Sequence, residues 1–344
     1  MKKNLLILST AIIFLFTSCG PGTLSLKEFP HNTDYEVIDL NEAFKSDEYW
    51  NFNEVFKSEE PMIFEEDKDN PLSYDFCGAA NDNIYLLNSY YNGYILVYNM
   101  QGKFIKRLTD PDTGELINNI RNLYVDNFNN TLLIQSDKNS SLYEVRSLDG
   151  KLIKTYDDYY GYGLIKKAQC GYIRYQSSNY TNHKYTTRND YHYYFTSYDK
   201  NFKEIGTYYS NLASDIDLHN LQFTTSNYEN TYFGVCYDNH VYSLDSTGII
   251  KAKYYLEFSD YEIHLDEGTF PGKYCFSGQF VEVGNWQFFQ FRTSGSHLYR
   301  AFLIARNKKT GIAKKFKFDL FWFSDLICYK NTFYYEHKKY TLQD

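Results

Sequence analysis

A unit of about 48 residues recurs along this chain, and it constrains the fold more than any other feature. Each copy is an alternating apolar strand, a short polar turn, a second strand, and a turn carrying Asp or Asn, usually with Gly, before the next strand. The first copy runs through Asn83-Ile84-Tyr85-Leu86-Leu87, Tyr94-Ile95-Leu96-Val97-Tyr98 and Asn99-Met100-Gln101-Gly102-Lys103. The second has Thr131-Leu132-Leu133-Ile134, Leu142-Tyr143-Glu144-Val145 and Leu148-Asp149-Gly150-Lys151. Later copies are marked by Asp199-Lys200-Asn201, with Asn in the glycine position, by Asp245-Ser246-Thr247-Gly248 and by Asn307-Lys308-Lys309-Thr310-Gly311. The markers stand at 102, 150, 201, 248 and 311, in steps of 48, 51, 47 and 63. Asp or Asn followed by Gly supplies the positive-φ residues of a tight hairpin turn.

Four strands in about 40 to 50 residues is the arithmetic of one β-propeller blade. From Cys77 to Asp344 there are 268 residues, about 5.6 such units. The last unit shows two strands, Leu326-Ile327-Cys328-Tyr329 and Thr332-Phe333-Tyr334-Tyr335. A half-built blade leaves open edges, so N-terminal strands are expected to complete it. Candidates are Tyr35-Glu36-Val37-Ile38-Asp39-Leu40 and Pro61-Met62-Ile63-Phe64, with a short helix between them over residues 51–56. The expectation is an all-β, six-bladed propeller, its last blade closed by N- and C-terminal strands. Seven blades, or an open pair of sandwiches, are the alternatives.

The chain begins with a basic Met1-Lys2-Lys3, an apolar run over residues 5–16 and Thr17-Ser18-Cys19-Gly20. That order describes a secretion signal, and twelve helical residues span about 18 Å, short of a bilayer's hydrocarbon layer. It resembles a bacterial lipoprotein signal, which implies acylation at Cys19. The domain reading is a signal peptide over 1–18, a Gly- and Pro-containing tether over 19–32, and one propeller over 33–344. The resemblance implies an outer-membrane lipoprotein, held through its lipid, with the membrane face open.

Of the 344 residues, 35 are Lys or Arg and 43 Asp or Glu, a net charge of −8. Such an acidic balance argues against nucleic acid as a partner. Five cysteines follow Cys19 without metal-ligand spacing (Cys77, Cys170, Cys236, Cys275 and Cys328) and read as buried free thiols, one disulfide being an alternative.

Together the signal, the 35–40 opening, Asn53-Glu54-Val55-Phe56 leading to Pro61-Met62-Ile63-Phe64-Glu65, and the strand from Asp82 followed by Tyr98-Asn99-Met100-Gln101-Gly102-Lys103 resemble the six-bladed, NHL-like propeller lipoproteins of Bacteroidetes. The chain departs from that group at Asp110-Pro111-Asp112-Thr113-Gly114, where a Gly-rich stretch is usual, and in its short C-terminal unit.

No nucleophile elbow, zinc-protease, phosphate-loop or calcium-loop motif is present, so no catalytic residue, metal ligand or cofactor is assigned. Asp215-Ile216-Asp217-Leu218-His219 reads as an inter-blade loop and Glu65-Glu66-Asp67-Lys68-Asp69 as a solvated one. The aromatic load, 37 Tyr and 27 Phe, points elsewhere. Tyr180, His183, Arg188 and His192 fall in the long second-to-third-strand loop of blade three, and Tyr90 and Tyr91 in the equivalent turn of blade one. Tyrosine faces stack on sugar rings while Arg and His bond hydroxyls and carboxylates, so these six residues are the candidate site for a saccharide or an envelope protein. The expected role is a binding or scaffold module. The alternative is a hydrolase or lyase at the axial channel, which requires a His with a carboxylate, or two carboxylates, in one place.

Overall fold

The computed structural model describes residues 27–28, 34–65, 75–88, 93–127, 129–137, 142–157, 164–177, 193–210, 224–226, 230–234, 238–262, 273–293, 301–317, 327–335 and 338–343. The N-terminal part carries β1 (Lys27–Glu28), β2 (Glu36–Asp39), α1 (Asn41–Lys45), β3 (Tyr49–Trp50), α2 (Phe52–Val55) and β4 (Phe56–Pro61). Blade one is β5 (Asp75–Ala80), β6 (Asn83–Asn88), β7 (Tyr94–Asn99) and β8 (Phe104–Arg107). Blade two is β9 (Ile120–Asp126), β10 (Thr131–Ser136), β11 (Leu142–Ser147) and β12 (Leu152–Asp157). Blade three is β13 (Leu164–Ala168), β14 (Gly171–Ser177), β15 (Tyr193–Asp199) and β16 (Glu204–Ser210). Blade four is β17 (Thr224–Ser226), β18 (Asn230–Gly234), β19 (His240–Leu244) and β20 (Ile250–Glu257). Blade five is β21 (Tyr274–Val283), β22 (Trp286–Thr293), β23 (Ala301–Asn307) and β24 (Ala313–Phe316). Blade six adds β25 (Ile327–Tyr329), β26 (Thr332–Tyr335) and β27 (Lys338–Leu342) to β4.

The fold is thus the expected six-bladed propeller, and both chain ends meet in its last blade. There β4 pairs antiparallel with β27, Glu59 opposite Tyr340. The C-terminal unit holds three strands rather than the two read from the sequence. Lys338–Leu342 escaped because Lys338-Lys339-Tyr340-Thr341-Leu342 mixes charge with apolar residues, as a strand with one face toward water does. Only one N-terminal strand therefore enters the blade, and of the 61–64 candidate only Pro61 belongs to it. The 35–40 candidate is a strand, but β2 lies parallel on the outer edge of blade four, Val37 opposite Tyr255.

It belongs to a belt. β1 lies parallel on β16 of blade three, β2 on β20 of blade four and β3 on β24 of blade five, before β4 becomes the outer strand of blade six. Lys27–Glu28 lies within the stretch whose composition reads as a tether. Between the strands, Phe44 of α1 seats in an aromatic socket where blades four and five meet. Phe258 and Tyr261 stack on its ring while Phe291 and Phe302 meet it edge-on. Further on, the Trp50 indole donates to Ala305 O at 2.8 Å and meets Trp286 edge-on. α2, at the expected helix, is started by Asn51, whose N–H donates to the Glu54 carboxylate at 2.7 Å.

The core is a set of seams between blades. Ile84, Leu86 and Tyr98 of blade one meet Tyr329 and Tyr334 of blade six, together with Met62 and Phe64. Leu133, Tyr143 and Val145 of blade two meet Tyr172, Tyr198 and Phe202 of blade three. Val281, Trp286 and Phe288 of blade five meet Phe56, Phe333 and Tyr340 of blade six. Where backbones must approach closely, no Cβ fits: one on Gly234 would lie 2.7 Å from Gly278 O in the neighbouring blade. The described cysteines, Cys77, Cys170, Cys275 and Cys328, form no disulfide with one another; Cys170 and Cys275 are buried as expected, Cys77 and Cys328 only half-buried, and burial pushes the Cys170 thiol up to about 11. Cys236 lies outside the described residues.

The recurring turn works through its first residue. The side-chain oxygen of Asn99 accepts from Gln101 N and Lys103 N, Asp199 from Asn201 N and Lys203 N, and Asp245 from Thr247 N and Ile249 N, all within 3.3 Å. Three residues on comes the left-handed position, Gly102, Gly150 and Gly248, but in blade three it is Phe202, at φ +57°, and not Asn201. A phenylalanine there is strained, and its ring explains why it is tolerated. It lies between Tyr172 at 4.1 Å and Tyr156 at 4.3 Å, both nearly parallel to it, with the Lys154 ammonium above.

Two outcomes follow from this packing. Phe202→Ala should lower unfolding stability by about 3–5 kcal/mol in urea titrations. Phe202→Gly should be less damaging than the alanine variant, by about 1 kcal/mol, because glycine relieves the left-handed backbone. At an unstrained position the order of the two would be reversed. Separately, burial pushes the phenols of Tyr85 and Tyr124 up to about 12, above an unfolded value of about 10. Their stabilisation is complete below pH 10 and is lost between pH 10 and 12, by about 1.4 kcal/mol per pH unit for each tyrosine. Tyrosinate absorbance should then rise in two stages, the second coinciding with unfolding seen by circular dichroism.

Candidate functional site

In each blade the first-to-second and third-to-fourth turns share one face of the disc, while the second-to-third loops and inter-blade connections share the other. Tyr90 and Tyr91 fall between β6 and β7, and Tyr180, His183, Arg188 and His192 between β14 and β15. All six lie outside the described residues, as do Cys19 and residues 215–219. What the structure gives is the hairpins that bear them. Asn88 pairs with Tyr94 at the end of blade one, its side-chain amide donating to the Tyr94 hydroxyl at 3.0 Å, and Ser177 pairs with Tyr193 at the end of blade three. These two described hairpin ends lie on the same face, two blades apart.

On that face of blade four the structure adds a cluster that sequence reading passed over. Asp238 and Asn239 complete the loop into β19, and His240 opens the strand. The Asp238 carboxylate accepts from His240 N at 3.0 Å, lies 2.7 Å from His240 Nδ1, and with its other oxygen accepts from the Tyr242 hydroxyl at 2.5 Å. The alternation of β19 explains the arrangement: His240 and Tyr242 point to one side, and the turning loop brings Asp238 back over both. Burial first, and then the negative charge of Asp238, hold the Tyr242 hydroxyl well above the ordinary phenol range.

The imidazole sits among aromatic rings. Tyr35, just before β2, meets it edge-on at 5.3 Å, and Tyr255 of β20 lies 5.0 Å from it. Residual exposure is 22% for the His240 side chain and 15% for Asp238, so the pair is lodged in the wall of the disc with one side open to water. Its chemistry is that of a half-buried His–carboxylate with two tyrosine faces beside it. Such a group can donate and accept hydrogen bonds and present flat apolar surface to a ring. It lies on the third and fourth strands, outward from the axis where the enzyme alternative was expected.

A second polar cluster has a different character. Glu282 of blade five accepts from Lys308 Nζ at 2.9 Å, the Tyr254 hydroxyl of blade four at 2.8 Å and Gln287 Nε2 at 2.8 Å. Arg306 extends the chain from Gln287 Oε1, at 2.8 Å, to Glu36 of β2 at 3.0 Å. Every charge is answered, and the network fastens the belt across the seam between blades four and five. Among the described residues no group of three or more His, Cys, Asp or Glu side chains comes together to hold a metal ion. Nor is any helix there long and apolar enough to cross a membrane.

No protein-family model matches the chain, and no curated protein is a significant match to it. Among solved structures, the chain is similar to a Bacteroides fragilis protein described as exported, with TM-score 0.55 and 14% identity, covering 81% of this chain and 79% of that one. It is more distantly similar to a streptogramin B lyase, with TM-score 0.39 and 12% identity over 84% of this chain and 98% of the other. The β-propeller domain of the trilobed protease of Pyrococcus furiosus gives TM-score 0.39 and 12% identity over 73% and 70%. At these identities the likeness is one of fold, and the fold is the six-bladed β-propeller.

Proposed function

We propose that this chain is an exported lipoprotein of the outer membrane, of the Bacteroidetes propeller type, held by an acylated Cys19 and acting as a binding scaffold. Its ligand is a saccharide or another envelope protein, taken up on the face that carries the second-to-third-strand loops. The observation that carries the reading is the open-sided cluster of Tyr35, His240 and Tyr255 at the second-to-third-strand end of blade four; Tyr90, Tyr91, Tyr180, His183, Arg188 and His192 are the residues we propose to act with it. A rigid disc with aromatic and amphoteric groups at several blades suits a ligand that spans more than one of them.

The anchor is tested by labelling cells that express the protein with a clickable palmitate analogue. Label and membrane association are expected in the native chain and absent in Cys19→Ala, and a labelled alanine variant would refute the anchor. The site is tested on a glycan array, with affinity capture from detergent-solubilised envelopes in parallel. Tyr180→Ala with Arg188→Ala should abolish any ligand found, and Tyr255→Ala should weaken it about tenfold. Binding indifferent to all three substitutions would remove this face from consideration.

The Asp238–His240 contact also favours a second reading, an enzyme, because a carboxylate on Nδ1 fixes the imidazole's tautomer and orientation. That reading demands hydrolase or lyase turnover that His240→Gln eliminates while folding and ligand capture persist.

A further inference from the structure

Blades three, four and five carry a fifth strand from the belt, whereas among the described residues no strand pairs with the outer side of β8, β12 or β4. Of these three edges, β4 is itself the N-terminal segment, and β8 and β12 are the outer strands that no N-terminal strand adjoins. An exposed strand edge is a template for another strand unless something blunts it.

The covered edges show what a covering strand looks like in this molecule. β1, β2 and β3 are extended segments of two to four residues, laid parallel to the outer strand. Acids of the belt meet cations of the blades at several points. Glu48, beside β3, pairs with Lys314 of the outer strand of blade five at 2.9 Å, Glu36 with Arg306 of β23 at 3.0 Å, and Glu59 and Glu60 of β4 with Lys338 and Lys339 of β27 at 2.5 and 3.7 Å, whereas β16 under β1 carries no cation. Apolar residues alternate with these acids, and Ile38 and Leu40 are buried on the blade.

The outer edges of blades one and two, on which no described strand lies, are basic. Lys103-Phe104-Ile105-Lys106-Arg107 holds three cations in five residues and no acid, and Lys151-Leu152-Ile153-Lys154 repeats the pattern one blade on. Ile105, Leu152 and Ile153 are 48%, 41% and 55% exposed, unusual for aliphatic side chains on a strand. Lys103, Lys106 and Lys151 face solvent. Lys151 has one weak partner, Asp112 at 3.6 Å, also exposed, and such surface pairs yield readily to a better one. One acid already sits at this edge: the Glu65 carboxylate accepts from Phe104 N at 3.1 Å.

We propose that the outer edges of blades one and two bind an extended acidic segment of a partner protein by strand addition. The partner's main chain completes the ladder of β8 or β12, its carboxylates meet Lys103, Lys106 and Lys151, and its apolar residues cover Ile105 and Ile153. A second copy of this chain is the poorer occupant, because two lysine-rich edges would face one another.

The probe is a fluorescein-labelled peptide of residues 34–41, the belt's own sequence, added to the intact protein. Anisotropy should show saturable binding that weakens with salt, and that falls at least tenfold in the variant K103E/K106E/K151E and in I105N/I153N. Circular dichroism should show both variants folded, since every altered side chain is exposed. The same peptide with Asn and Gln in place of its acids should bind at least tenfold more weakly. Hydrogen exchange should be fast at residues 104–107 and 152–157 in the free protein and slow in the complex. Absence of saturable binding, or binding unchanged in both variants, would overturn the proposal. So would new protection at β20 instead, meaning displacement of β2, or slow exchange of both edges before any peptide is added. Two further results would reassign the edge: dimers whose contact protects residues 104–107, or capture by phosphatidylglycerol vesicles through the same lysines without competition from the peptide.

Discussion

The antiparallel ladder between β4 and β27 is the interaction on which the rest depends. Six twisted sheets arranged about an axis form a closed ring only if the last is complete, and the C-terminal unit supplies three of its four strands. The bonds of that ladder join residues near position 60 to residues near position 340, so the entropy of closing almost the whole chain is met in one place. The ends are fastened further by Gln343, whose N–H donates to Val55 O at 2.9 Å and whose own carbonyl accepts from the Trp286 indole at 3.1 Å. The seam between blades six and one is pinned from the other side by Asp82, which receives Lys330 Nζ at 2.7 Å and the Tyr329 hydroxyl at 3.1 Å.

Closure brings the belt with it. Because β4 must reach blade six from the rim, the described residues before it, 27–28 and 34–55, lie along the rim, and each outer strand they pass offers unpaired main-chain groups. Parallel addition of β1, β2 and β3 satisfies those groups, and α1 drops Phe44 into the socket between blades four and five. At blade five the parallel pair has a charge complement as well as a ladder, Glu48 meeting Lys314. Among the described residues this coverage reaches back to blade three, and no described strand lies on the outer edges of blades one and two.

The aromatic content has two uses. Most of the described tyrosines and phenylalanines fill seams: Tyr98, Tyr143, Tyr172 and Tyr242 are almost wholly buried, each with its ring between blades. Phe202 takes this furthest, holding a backbone conformation suited to glycine because two parallel rings grip its side chain. Seam-filling accounts for the composition without any ligand. The rings that remain informative about function are those beside polar groups at a loop-bearing face, as at Tyr35, His240 and Tyr255.

Blade number, turn chemistry and the meeting of chain ends were legible in the sequence because they are local: a period of two, an Asp or Asn beginning a turn, and a fixed spacing between turns. The residue in the left-handed slot of blade three was misplaced by one, since Asn201 is the conventional choice and only the stacking partners from distant strands make Phe202 tolerable. Which N-terminal segment closes the last blade was decided by tertiary structure. Residues 35–40 and 56–61 are comparable strands in isolation, and only the order of edges they meet along the rim assigns one to blade four and the other to blade six. Asp238 and His240 stand two apart in an unremarkable loop. Their union with Tyr35, more than two hundred residues away, exists only because the belt crosses blade four at that height.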